Sequence, residues 1–328
     1  EGLERTGKLA GVNELYTDYS EMIERAGLDA VVIGTPMPYH AEQSTLALEA
    51  GIHVLCEVPA AVSVEECQRL VQAANASKAS YMMAENYCYF RQNVLIWEIV
   101  KAGLFGQTYF GEGEYVHELK GLNEITTWRR KWQTGINGCT YPTHSLGPVY
   151  QWMNERVTQV MCFGTGHHYQ DPRGAHYENE DSTFMICRTD KGGLLNVRVD
   201  MLSNRPHCCD YYSLQGTDGA YEAARGPEDK NKIWLTSRCD GFQWMNLEDL
   251  QEEFLPDKWR KMPSEILATG HAGSEYVLAN DFLKAVVSGT KQPIDIYESL
   301  DMTLPGLVSQ ESIQKGSVWL DVPDPRVW

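Results

Sequence analysis

Tyr115, His117, Tyr141 and His144 fall close together in the chain, and phenols and imidazoles are the side chains that exchange protons once their surroundings tune them. In "YFGEGEYVHEL" the alternation of a strand puts Tyr109, Gly111, Gly113, Tyr115 and His117 on one face. Two glycines there are expected to leave room for a ligand beside the tyrosine and histidine. Glu112, Glu114 and Glu118 fall on the other side, where solvent is their simplest partner. Each site residue also has a plainer reading. Tyr115 fits a strand aromatic, Tyr141 a turn residue before Pro142, and His144 a structural histidine opening the helix at "SLGPVYQWM". A second feature is "GIHVLCEVPAAVSVEE", a short apolar run closed by Glu57-Val58-Pro59 with a helix start directly behind it.

These residues need elements to hold them. The 328 residues are 43% hydrophobic and 22% charged, enough for two domains with a sizeable core. "AVVIGTP" and "IHVLCEVP" read as short buried strands, separated by a helix over "YHAEQSTLALEAG". Asp18 with Glu21, and Ser63 with Glu66, have capping-box spacing, and Cys67, Leu70, Val71 and Ala74 share a helix face. "SYMMAEN" is a further strand and "QNVLIWEIVKAGLFG" a helix, so the alternation predicts a parallel sheet with crossovers. Thr35 and Pro36 then close a strand at the carboxyl edge, where nucleotides bind. Beyond residue 107 longer strands meet in glycine turns, one at Asp190-Lys191-Gly192-Gly193, and two helical stretches close the chain. The expected fold class is α/β. Residues 1–90 form a Rossmann-type parallel sheet, and residues 91–328 an α+β substrate domain with a large, mainly antiparallel open sheet. No G-x-G-x-x-G motif occurs in the chain, and the first strand–helix–strand of the Rossmann unit is expected to precede Glu1.

Composition excludes several functions. A formal net charge of −17 argues against nucleic acid and anionic membrane surfaces as partners. No run approaches the ~18 apolar residues of a membrane span. Nine cysteines without C-x-x-C read as reduced, mostly buried thiols. The adjacent pairs Cys208-Cys209 and His167-His168 point apart on a strand, so no metal site is expected.

Three motifs, "DAVVIGTPMPYHAEQSTLALEAGIHVLCEVP", "KAGLFGQTYFGEG" and "PIDIYESLDMTLPGLVSQESIQKG", stand in the order found in the glucose-fructose oxidoreductase, inositol dehydrogenase and MocA (Gfo/Idh/MocA) family, which the chain resembles over nearly its whole length. Dehydrogenases of that family carry Glu-Lys-Pro and D-x-G-x-H. Here Val58 replaces the lysine, Thr140 the aspartate and Pro142 the second glycine, while His144 is kept. Glu-Val-Pro together with "GEYVHEL", "WR" and "YPTHSLGP" looks like the family's NAD-dependent glycosidase branch, typified by bacterial α-N-acetylgalactosaminidases.

That resemblance implies transient oxidation at sugar carbon 3, elimination, addition of water and re-reduction, a path that needs no flanking pair of carboxylates. It makes His144 the aid to oxidation at carbon 3. Tyr115 or Tyr141 takes the carbon 2 proton or protonates the leaving group, and His117 binds sugar hydroxyls. Arg205, in Arg205-Pro206-His207, borders the sugar site. Tyr39, His40, Glu57, Val58, Asn86, Trp128 and Arg129 join Thr35 and Pro36 around NAD, with NADP left open. The implied partner is a small carbohydrate or glycoside, and the implied assembly a homodimer or homotetramer, exported or cytoplasmic, with any signal upstream of Glu1. An NAD(P)-dependent sugar or polyol dehydrogenase is the alternative function, and a non-catalytic sugar-binding protein the third.

Overall fold

A computed structural model describes residues 2–206 and 208–328, and at Cys208 and Cys209 the backbone alone. His207, expected beside Arg205 at the sugar site, lies outside the described residues, as do the side chains of the Cys208-Cys209 pair.

β1 (Ala30–Ile33), β2 (His53–Cys56) and β3 (Tyr81–Met83) form a parallel sheet in the order β1-β2-β3. The crossovers are the helices His40–Glu49 and Val64–Ala76. Ser63 accepts the Glu66 amide at 3.2 Å and Glu66 reaches back to the Val62 amide at 2.9 Å, so the second helix starts where its capping residues stand. It buries Cys67, Leu70, Val71 and Ala73, with Ala74 at the margin of that stripe.

The second sheet contains β4 (Thr108–Val116), β5 (Val157–Gly164), β6 (Thr183–Thr189), β7 (Leu194–Asp200), β8 (Cys208–Gly216), β9 (Gly219–Glu222), β10 (Lys232–Leu235), β11 (Met245–Asn246) and β12 (Leu320–Asp321). Their order is β11-β10-β9-β8-β4-β7-β6-β5-β12, and only the β4–β7 pair is parallel. The hairpin between β6 and β7 turns at the expected glycines, with Gly192 at φ 92°.

β4 departs from simple alternation. Its register against β8 shifts between Thr108 and Phe110, so Thr108 is buried while Tyr109 is 47% exposed and leaves the face it was expected to share. The glycines also do something other than make room for a ligand. A Cβ on Gly113 would lie 1.8 Å from the Ser145 carbonyl oxygen, and one on Gly111 would meet Leu195, Met153 and Val149. The space belongs to the helix Thr143–Met153, which lies directly on the strand. On the opposite face the acids are partnered. Glu112 accepts from Ser213 at 2.8 Å, Glu114 from Arg225 at 3.1 Å, and Glu118 from the Lys120 amide at 2.7 Å.

One helix, Ile296–Gln314, fastens both sheets. Asp295 caps it by accepting from the Tyr297 and Glu298 amides. Its hydroxyls accept backbone amides from either side: Thr303 from Ala60 at 3.4 Å, Ser309 from Cys139 at 2.8 Å, and Ser312 from Cys162 at 3.0 Å. Among the described cysteines, Cys56, Cys67, Cys88, Cys139, Cys162 and Cys187 are free and buried. No helix among the described residues is long and apolar enough to cross a membrane, and no group of three or more His, Cys, Asp or Glu could hold a metal ion.

Gly113→Ala should lower stability by about 3 kcal/mol, because the added methyl meets backbone rather than a movable side chain. Gly121→Ala, where nothing lies within 4 Å, serves as the neutral control. Urea melts of the two variants check this.

Candidate active site

Three strand ends build the near side of the site: Gly34-Thr35-Pro36 after β1, Glu57-Val58-Pro59 after β2, and Glu85-Asn86 after β3. His40 is buried, with Nδ1 2.8 Å from the Pro59 carbonyl and Nε2 2.8 Å from the Thr35 carbonyl. Both ring nitrogens are thus used in holding the first two strand ends together. Thr35 donates to Gln43 at 2.7 Å, Val58 is buried, and Tyr39 is half exposed.

Across from these ends lies the start of the Thr143–Met153 helix. His144 Nδ1 is 2.8 Å from Oε1 of Glu85, a fully buried carboxylate. Nε2 of His144 has no hydrogen-bond partner among the described residues. Rings close around it: Tyr87 stacks at 4.1 Å between centroids, with Tyr115 at 5.1 Å and Tyr141 at 5.2 Å. Tyr115 Oη lies 2.7 Å from Nδ1 of His117. The structure therefore brings Tyr115, His117, Tyr141 and His144 into one cluster. Close packing of strand on helix at Gly113 is what allows it.

The electrostatics separate these groups. Burial, followed by the charges of Glu85 and Glu57, pushes the Tyr141 phenol well above its ordinary value, with Arg129 opposing. Tyr141 therefore keeps its phenolic proton at neutral pH. Glu57 touches solvent at the mouth of the site, yet desolvation and then the nearby Glu85 push its carboxyl up, with His144 opposing. Arg129 stacks on Trp128 at 4.4 Å and donates to Thr126 at 3.1 Å and Gln133 at 2.9 Å, which fixes its charge near Tyr141. Asn86 donates to Glu275 at 3.2 Å. Arg205 is exposed and stands apart from the His144 cluster, on a neighbouring cleft that Tyr87 also lines.

Glu85, Tyr87 and Phe90 were not singled out in the sequence. The signal for Glu85 was available, an acid directly behind the apolar strand "SYMMA" at the edge where ligands bind. His168, one of the paired histidines, instead bonds Asp181 at 2.7 Å.

The residues present suit a dinucleotide. Three parallel strands end together, and a Cβ on Gly34 would find nothing nearer than Glu57 Cγ at 4.0 Å, so that edge is open to a flat ligand. Glu85 Oε2 is buried without a partner, an acceptor waiting for a donor. Fold and site define a nicotinamide-dependent enzyme of the Gfo/Idh/MocA type. Residues 3–85 match the oxidoreductase family with NAD-binding Rossmann fold, and NAD is the cofactor. Residues 89–326 match the C-terminal domain of glycosyl hydrolase 109, and the chain belongs to that family.

Relatives agree. The α-N-acetylgalactosaminidase of Shewanella oneidensis is 29% identical over 93% of this chain and 71% of its own. A glycosyl hydrolase family 109 protein of Saccharopolyspora erythraea is 28% identical over 94% and 70%. Among solved structures, levoglucosan dehydrogenase with NADH and L-sorbose superposes with a TM-score of 0.81 at 21% identity, over 99% of this chain and 88% of that one. An inositol dehydrogenase homolog with NAD+ from Azotobacter vinelandii gives 0.75 at 19%, over 97% and 86%. At such identities the last two share the fold.

His144→Ala should abolish turnover while leaving the circular dichroism spectrum unchanged. Glu85→Gln should lower kcat by about 10²- to 10⁴-fold, since the imidazole loses the charge that fixes its tautomer. Glu57 gives a pH test. A carboxyl raised on folding favours the native state while protonated, and that contribution is lost as pH rises from the unfolded value through the folded one. Glu57→Gln should therefore raise the melting temperature at about pH 8 and leave it nearly unchanged at about pH 4.

Proposed function

We propose that this glycosyl hydrolase cleaves a terminal α-N-acetylgalactosaminide by oxidation at carbon 3, elimination across carbons 1 and 2, addition of water and reversal of the oxidation. The observation that carries the reading is the cluster itself. A Glu85–His144 pair, a Tyr115–His117 pair and a protonated Tyr141 converge beside the strand ends of an NAD-binding sheet. The sugar is taken from the name of the Shewanella oneidensis relative.

NAD, when bound, supplies the acceptor and later the donor of the carbon 3 hydride. The protein's part is proton management. With Nδ1 held by Glu85, His144 offers Nε2 to the proton of the carbon 3 hydroxyl. A ketone at carbon 3 acidifies the neighbouring carbon 2 proton. Tyr115 receives that proton on its oxygen as its own phenolic proton moves to Nδ1 of His117 across their 2.7 Å contact. Tyr141 gives its proton to the glycosidic oxygen as the bond to carbon 1 breaks. Water then adds across the double bond, its hydroxyl to carbon 1 and a proton to carbon 2, and the same groups run in reverse. His117 also holds sugar hydroxyls. Thr35, Pro36, Tyr39, His40, Glu57, Val58, Asn86, Trp128 and Arg129 form the cofactor edge. Arg205 faces the substrate from the adjoining cleft. Residues 1–90 and 91–328 serve as the cofactor and sugar domains. The outer face of the large sheet exposes Phe163, Phe184 and Leu194, which suits pairing into a homodimer or homotetramer.

The test is hydrolysis in heavy water by the NAD-loaded protein with no cofactor added. Deuterium at carbon 2 of the released N-acetylgalactosamine is the expected result. Release without deuterium would exclude elimination. Net reduction of added NAD by free sugar, with no cleavage, would make the protein a dehydrogenase.

A further inference from the structure

His144 is the second residue of the helix Thr143–Met153, and that helix leaves it short of one bond. Its carbonyl would ordinarily accept the amide four residues on, but Pro148 stands there and has no N–H. A proline ring inside a helix also presses on the carbonyl four residues before it and turns that group out of the ladder. His144 is 8% exposed, so bulk water is a poor replacement for the missing donor.

The donor comes instead from the second sheet. Tyr212, on β8, gives its phenolic proton to the His144 carbonyl oxygen at 2.5 Å. Tyr212 is 1% exposed, and burial pushes its phenol well above the ordinary value, which keeps the proton in place for that bond. Its cross-strand neighbour on β4 is Gly113, whose missing side chain admits the Ser145 carbonyl. The two positions work together: glycine lets the first turn of the helix down onto the sheet, and tyrosine bonds it there. Two turns further along the helix, Trp152 meets the Tyr212 ring edge-on at 5.6 Å and donates to the Asn93 carbonyl at 3.0 Å. The phenol is thus held in direction as well as in charge.

The backbone that Tyr212 grips carries the imidazole whose Nδ1 lies 2.8 Å from Glu85. We propose that Tyr212 is a positioning residue for the reaction: it supplies the hydrogen bond that Pro148 denies the helix, and so aligns His144 with Glu85. Tyr212 is too deeply buried to meet a ligand and acts through His144. The inference rests on the part given to His144 under the glycosidase reading.

The test is a rescue, made on the NAD-loaded protein with an aryl α-N-acetylgalactosaminide. Tyr212→Phe removes one oxygen and keeps the ring, and kcat should fall about 10- to 100-fold with KM little changed. Pro148→Ala returns an amide to the helix opposite the same carbonyl. In that background Tyr212→Phe should cost no more than about threefold, because the hydroxyl has become redundant. Tyr221→Phe is the control. That phenol is as buried, meets the same Trp152 at 5.7 Å and bonds Asn231, so its loss should leave kcat unaltered. A readout independent of turnover is the low-field proton resonance of the His144–Glu85 hydrogen bond. It should move upfield in Tyr212→Phe and return when Pro148→Ala is added. An unmoved resonance in Tyr212→Phe, or an equal loss of kcat in the Pro148→Ala background, would overturn the proposal. If the native protein cleaves no glycoside, the glycosidase reading falls, and the resonance alone decides whether Tyr212 positions His144.

Discussion

The bond between Glu85 and His144 is the contact on which the rest of the site depends. Its partners are 59 residues apart, one behind the last strand of the parallel sheet and the other on a helix laid against the second sheet. A fully buried carboxylate is costly unless it is paired. The imidazole meets that need, and the arrangement in turn fixes which histidine nitrogen is free. Around this one contact Tyr87, Tyr115 and Tyr141 pack as a wall of rings, so geometry and protonation are set together.

A family that ordinarily relies on a lysine has that position filled here by buried Val58. In the proposed mechanism the proton carriers all come from the second sheet and its helix, and the first sheet contributes the carboxylates Glu85 and Glu57 beside them.

Much of this was legible in the sequence, for physical reasons. The capping residues Asp18 and Ser63 act where their spacing put them, and the glycine turn between β6 and β7 falls at the expected residues. The small strands β10, β11 and β12 carried too little periodicity to be read. The cluster of Tyr115, His117, Tyr141 and His144 was recognised, but the reason for Gly111 and Gly113 was not. Alternation tells which residues share a face, and it is silent on what lies against that face. In the same way a single chain gave no sign that Glu85 is buried, that both nitrogens of His40 are occupied, or that His271 sits in a left-handed turn. Those facts depend on partners far away in sequence.

The helix Ile296–Gln314 has an implication for how the protein comes into being. Its Thr303 meets Ala60 across 243 residues, and its Ser309 and Ser312 meet the loop before Tyr141 and strand β5. During synthesis the parallel sheet and most of the large one emerge well before this helix does. Contacts of such separation form late, and domains released first fold first. Each half therefore keeps a face uncovered until this helix has emerged and packed, and the two sheets are joined only then.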